Sequence, residues 1–278
     1  MPDQSPKRMT AEDRDALKEA VKRLECTGFA MKAANTLGTP IERAIEALPE
    51  KGRELVQDAT KRALETCLKI ALSSLGAGKA NSSWDTLHKA TCTVSGAIGG
   101  FFGMYGLAIE LPVSTAIMLR SIAGIARSEA EDLGDIDAKL SCISVLAFGA
   151  RSSRDDNADI GYFAVRAALA KALPRAAERT LPPALARFIT VIAERFGITV
   201  SEKVVAEAVP VVGAVGGGAI NLVFMNHFQE VAHGHFSVRR FGTEVRGRSC
   251  TDGVRTGPHG LEMLMWRHAF GFARPTGR

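Results

Sequence analysis

The sequence predicts an all-α protein, a multi-helix single domain with two glycine-rich, uncharged central helices. Three observations carry that prediction. Apolar residues recur every three or four positions along most of the chain. Helix-start and helix-stop residues bracket those runs. No Asn-Gly or Asp-Gly pair lies between alternating runs, and β-branched stretches are scarce, which argues against hairpins and strands. Apolar side chains make up 46% of the chain, enough for a sizeable core and too many for wholesale disorder. Aromatics are 6%, so Ala, Val, Leu and Ile must build most of that core.

The elements follow in order. Residues 1–34 form a polar helical lead-in, with Thr10-Ala11-Glu12-Asp13 as a weak capping box. Thr39-Pro40-Ile41-Glu42 reads as an N-cap, a proline at the first helical position and a capping glutamate. In 52–75, Leu55, Ala59, Ala63, Leu64, Cys67, Leu68, Ala71 and Leu75 share one stripe. Arg53, Asp58, Lys61, Arg62, Glu65 and Lys69 lie opposite, as an amphipathic helix requires. Residues 136–148, 158–173 and 184–196 show the same alternation, and Thr199-Val200-Ser201-Glu202 repeats the capping pattern. Gly28, Gly38, Gly76, Gly134, Gly149 and Gly197 fall where a helix-ending glycine belongs.

Two runs break the amphipathic pattern. Residues 90–109 carry no charge, and Glu110 is the only charged residue from 90 to 119. Residues 208–229 also lack a formal charge. Interior glycine costs about 1 kcal/mol against alanine. The pairs Gly96/Gly100, Gly99/Gly103 and Gly213/Gly217 offer a compensation, because small residues at that spacing let helix backbones approach. Each run is just long enough to span a bilayer, which takes about 20 apolar residues. Pro112 and Pro210 interrupt them, and Lys79, Lys89, Arg120 and Arg127 flank the first without asymmetry. A buried glycine-packed pair is the favoured reading, and insertion is the alternative.

The net charge is +5, but it is not spread evenly. Residues 1–80, 81–238 and 239–278 balance at +2, −2 and +5. A neutral body argues against a phosphate-binding face, so no nucleic acid is expected. Gly213-x-x-Gly216-Gly217-Gly218 lacks the Lys-Ser/Thr of a P-loop and follows no strand, so no nucleotide is expected either. Cys26, Cys67, Cys92, Cys142 and Cys250 are odd in number and form no CxxC pair. With the polar, charged start Met1 to Lys22, they predict a reduced protein on the cytosolic side, without a signal peptide.

Three groups of residues are candidates for chemistry or contact. His227-x-x-Glu230-x-x-His233 puts three metal-capable side chains along one helix, with Glu230 and His233 at the spacing of di-iron carboxylate bundles. No second Glu-x-x-His exists, and Glu110, Glu194 and Glu207 are the obvious glutamates in apolar surroundings. The structural alternative makes His227 and His235 hydrogen-bonded core residues ending a helix, with His235 in the stripe of Phe224, Phe228 and Ala232. No cofactor is therefore expected, with a divalent metal as the minority reading. Glu110 is a candidate general acid or base, or else half of a salt bridge to Arg120, Arg239 or Arg240. Phe101, Phe102, Met104 and Tyr105 could dip into a bilayer or fill the space that glycines leave. Arg239 and Arg240 could meet anionic lipid.

Val204 to Arg240 carries a further pattern: Pro210, Gly213, Ala214 and Gly217, then Asn221, then Phe224, His227, Phe228 and Gln229, then Ala232, His235, Phe236, Arg239 and Arg240. Upstream lie Gly99-Gly100-Phe101-Phe102-Gly103, Glu110-Leu111-Pro112 through Met118-Leu119-Arg120-Ser121-Ile122, and Ala193-Glu194-Arg195-Phe196-Gly197. The combination, over about residues 35 to 241, resembles the EcsC protein family. The resemblance implies a helical, membrane-associated protein linked to an ABC-type transport system, with no established biochemical activity. The expected organisation is the lead-in, an EcsC-like domain over 35–246, and a basic tail over 247–278. At Phe241-Gly242-Thr243-Glu244 the chain departs from the family pattern, and the Arg/Gly-rich tail that follows shows no helical period. The expected role is a peripheral or partly inserted accessory factor whose partner is membrane lipid or a membrane-protein complex. The alternatives are an enzyme with a buried carboxylate/histidine site and a soluble interaction scaffold.

Overall fold

The computed structural model describes residues 11–24, 28–37, 48–75, 107–149, 182–207 and 213–249. Among these residues every regular element is helical: α1 Ala11–Leu24, α2 Phe29–Leu37, α3 Glu50–Ser74, α4 Leu107–Ser128, α5 Ile136–Phe148, α6 Pro182–Glu207 and α7 Gly213–Ser249. The Thr39 capping box, the run 158–173 and the glycine-rich run 90–106 lie outside them. No described helix is long and apolar enough to cross a membrane.

α7 is the axis of the fold. Its 37 residues span about 55 Å, and α1, α2, α4, α5 and α6 all pack on it. α3 closes the other side of α4 and α6. The stripe expected on α3 is buried at Ala59, Ala63, Leu64, Cys67, Ala71 and Leu75, and every charged residue assigned to its outer face is exposed. Val56 is buried where Leu55 was expected to be, and Leu55 is half-buried.

Polar pairs fix the direction of the central helices. Glu110 meets Asn221, Ser121 meets Gln229, Glu129 meets Ser237 and Glu131 meets Arg239. Partner numbers rise together, so α4 and α7 run parallel. Lys203 lies over the Phe224 ring and Phe196 packs on Phe228, so α6 runs antiparallel to α7. Ser141 meets Arg239 while Gly149 meets His227, so α5 is antiparallel to α7 as well. The described parts of the two uncharged runs, residues 107–109 of α4 and 213–229 of α7, therefore lie towards the same end of the pair, beside the last turns of α6.

Close packing is concentrated on α7. Phe228 stands edge-to-face to Phe224 at 5.1 Å and to Phe196 at 5.6 Å, Phe196 and Phe224 are tilted at 6.1 Å, and Phe29 is edge-on to Phe224 at 5.2 Å. Gly234 lies where α1 crosses: an added Cβ would stand 2.7 Å from Leu24 and 2.8 Å from the Ala20 carbonyl oxygen. Leu17, Ala20 and Leu24 of α1 are buried in this same core.

Several sequence expectations are corrected. The capping pattern at Thr199 and the helix-ending Gly197 both fall inside the unbroken α6, where Ser201 Oγ donates to the Gly197 carbonyl at 2.8 Å. Buried Phe196 and Val200 hold the helix across the glycine, so packing offsets its intrinsic cost of about 1 kcal/mol. α5 is not amphipathic: residues 140–149 are all buried, because α3, α4, α6 and α7 surround them. Gly149 closes α5 in the right-handed region, at φ −72° and ψ −15°. The Gly28 carbonyl accepts from Lys32 N at 3.2 Å, so Gly28 opens α2.

The left-handed helix end belongs to a residue not singled out. Ala130 has φ 64°. Glu131 N donates to Ala126 O and Ala130 N to Arg127 O, each at 3.0 Å, which is a Schellman end on α4. The pattern after Phe241 is also helical, since α7 runs on to Ser249. Once a helix is nucleated each added residue gains a hydrogen bond, and Arg and Glu are good helix formers.

Candidate functional site

Charged groups are buried where α4, α6 and α7 meet. Glu110 stands in the first turn of α4, Lys203 and Glu207 stand one turn apart at the end of α6, and Asn221 lies two turns into α7. The Lys203 side chain is 0% exposed, that of Glu110 6% and that of Glu207 15%. Lys203 Nζ donates to Glu110 Oε2 at 2.7 Å and lies 3.3 Å from Glu207 Oε1. Its remaining side faces the Phe224 ring, 5.4 Å from the centroid. Asn221 Nδ2 donates to the second Glu110 oxygen at 3.0 Å.

The three ionisable groups respond differently. Burial alone would push Glu110 up. The Lys203 charge and hydrogen bonds from Lys203, Asn221 and Ser114 override it and hold Glu110 below the usual carboxylate value. Burial would push Lys203 down, but Glu207 and Glu110 together hold it above its ordinary value. Burial pushes Glu207 up, Lys203 pulls it down, Glu110 pushes it up again, and the net direction is up. Glu110 is thus fixed as a carboxylate with both oxygens engaged, which leaves it poorly placed to be a general base. Its expected arginine partners are corrected: Lys203 is the counter-charge. Lys203 was not singled out in the sequence, although its i, i+4 spacing to Glu207 between apolar valines was the available signal.

The other candidates fall elsewhere. His227 is buried, and its Nε2–H donates to the Gly149 carbonyl at 2.7 Å. Its ring packs on Phe29 and Phe228. Glu230 points outward and pairs with Lys32 of α2. His233 is half-buried. Among the described residues no group of three or more His, Cys, Asp or Glu side chains is placed to hold a metal. His235 is buried against Phe148 and Phe236, in mid-helix rather than at its end. Glu194 is exposed. Phe101, Phe102, Met104 and Tyr105 lie outside the described residues.

Arg239 and Arg240 stand at the opposite end of the α4–α7 pair. Arg239 Nε meets Glu131 Oε1 and its Nη2 meets Asp137 Oδ2, each at 2.5 Å, while Nη1 donates to Ser141 Oγ at 2.9 Å. Burial would lower its pKa, but Asp137 and Glu131 hold it above the ordinary arginine value. Arg240 Nη1 lies 3.0 Å from Glu129 Oε2. Both arginines thus clasp the turn that follows α4.

These features define a class: an all-helical protein organised on one long helix, whose inward polar residues each dock a neighbouring helix or turn. Asn221, His227, Gln229, Arg239 and Arg240 all do so. The chain belongs to the EcsC protein family, whose model matches residues 6–241. That match takes in α1 as well as the later helices. Comparison with curated proteins gives no match, and comparison with solved structures gives none.

Proposed function

We propose that this EcsC-family protein is a peripheral membrane-associated factor acting from the cytoplasmic side, with lipid as its contact and a transport complex as its setting. The observation that carries the reading is that the described parts of both uncharged runs, residues 107–109 and 213–229, lie towards one end of the α4–α7 pair. Val113 is 47% and Leu222 36% exposed there, and the next charged residues along the two helices are Arg120 and Glu230. An apolar end of that kind favours shallow insertion at the bilayer interface. Arg239 and Arg240 lie about 27 Å along α7 from Asn221, and their charges are engaged within the protein, so the reading rests on the apolar end. The link to ABC-type transport is carried by the family alone.

Vesicle flotation tests the proposal. The full chain should float with phosphatidylcholine vesicles, and raised salt should change this little, because screening acts on charge rather than on apolar burial. Val113→Asp/Leu222→Asp should reduce the floated fraction while leaving the melting temperature unchanged. A chain that stays wholly in the dense fraction with both neutral and phosphatidylserine-containing vesicles overturns the reading.

A further inference from the structure

We propose that the junction of α4, α6 and α7 is proton-responsive, with Glu207 as the group that takes up and releases the proton. The argument starts from a charge count. One ammonium, Lys203, faces two carboxylates, Glu110 and Glu207; Lys203 and Glu110 are buried and Glu207 keeps 15% exposure. Fully ionised, the three carry a net negative charge. With one proton added, they are neutral. Burying uncompensated charge is costly, so the folded state favours the neutral count.

Geometry decides where the proton sits. Glu110 receives Lys203 at 2.7 Å on one oxygen and Asn221 at 3.0 Å on the other. It also stands in the first turn of α4, where the helix dipole favours negative charge. Glu207 has Lys203 at the longer distance of 3.3 Å, and its buried Oε1 receives no hydrogen bond. Among the described residues the groups facing this site are few. α6 brings Lys203 and the neighbouring buried Glu202, α4 brings Glu110 and Ser114, and α7 brings Asn221 and Phe224. The buried polar residues of α3 and α5 are Thr60, Ser141 and Ser144, all uncharged. Lys32 of α2 is tied to Glu230, and His227 is bonded to Gly149, six residues beyond Asn221. The upward direction for Glu207 agrees with this placement.

The sign follows from linkage. A carboxyl whose folded value is raised contributes stability below its unfolded value, and that stability is lost as pH rises through the folded value. Within that window the folded-to-unfolded ratio falls about tenfold per pH unit. The added charge sits between the end of α6 and the start of α4, so these segments loosen first.

The test compares the full wild-type chain with Glu207→Gln by melting and by hydrogen exchange, from about pH 4.3, the ordinary glutamate value, upward. Expected is a wild-type stability that falls with the stated slope, and a Glu207→Gln profile from which that slope is missing. Histidine contributions remain common to both. Peptides covering 196–207 and 107–118 should gain exchange, corrected for intrinsic rate, in the wild type alone. Parallel stability profiles, or an exchange gain spread evenly over the chain, overturn the proposal. Should Glu207→Gln fail to fold, infrared spectroscopy of the wild type decides. A protonated-carboxyl band persisting above the ordinary glutamate range supports the proposal, and its absence overturns it.

Discussion

Lys203→Met is the most informative single perturbation of this fold. Methionine keeps much of the side-chain volume and removes the ammonium. The Lys203 side chain has no exposure and that of Glu110 has 6%, so solvent cannot replace the ammonium at Glu110. Removing one partner of a buried ion pair costs about 3–5 kcal/mol, because the remaining charge is left uncompensated. For a chain of this size each kcal/mol moves the melting temperature about 2–4 °C, so a drop of roughly 6–20 °C is expected at neutral pH. The pH dependence gives a second reading. In the wild type, Glu110 lies below its ordinary value, so its contribution is present above the unfolded value and lost as pH falls through the folded one. In the variant, burial pushes both carboxyls up with no ammonium to oppose it, so the variant recovers stability relative to the wild type as pH falls. Scanning calorimetry at neutral pH and near about pH 4.3 measures both. Glu110→Gln/Lys203→Met should regain more than half of the single-variant loss, because no charge is then stranded on Glu110. A Lys203→Met loss under about 1 kcal/mol, or a deficit that does not shrink in acid, refutes the account of the junction as an ion-paired buried site.

Two further substitutions probe the packing around it. Gly234→Ala places a methyl 2.7 Å from Leu24 and 2.8 Å from the Ala20 carbonyl, so it should lower stability by about 1–3 kcal/mol. A chemical denaturation midpoint reads this, and Leu24→Ala should relieve only part of it, because the carbonyl remains. Ala130→Gly removes a side chain from a φ of 64°, and the melting temperature should rise by the few degrees that about 1 kcal/mol represents.

The legible part of the fold was the part written in periodicity. α3 needed only its stripe, because one face meets the core and the other meets water. α5 was misread because a helix packed on every side loses its polar face, and its residues 140–149 have none. The glycines misled for a related reason. A helix-ending glycine and a glycine carried through a helix look alike in sequence, and only the buried neighbours of Gly197 decide which it is. At the site, Glu110 and Glu207 stood out as charges in apolar surroundings. Their meeting across 97 positions of sequence could not be read, because nothing local to either names the third helix. The histidine spacing was real, but His227 and Glu230 point to different sides of α7, one to Gly149 and one to Lys32.

The charge distribution changes meaning once the pairings are known. By position, the basic excess begins at Arg239. By contact, Arg239 and Arg240 belong to Glu131, Asp137 and Glu129, so this charge is balanced inside the fold. The α4–α7 pair thus has two unlike ends. One is a clasp in which two arginines hold the acidic turn around Ala130. The other holds residues 107–109 and 213–229, the described parts of the uncharged runs, beside a site with one ammonium and two carboxylates. Parallel helices force this arrangement: whatever begins α4 must lie beside whatever begins α7. A long connection, from residue 129 to 212, is what parallel pairing requires, and the chain uses it to build α5 and α6. α6 returns at the end of that connection and delivers Lys203 to Glu110. The buried charge therefore stands where α4, α6 and α7 meet, and a change of one proton there bears on all three.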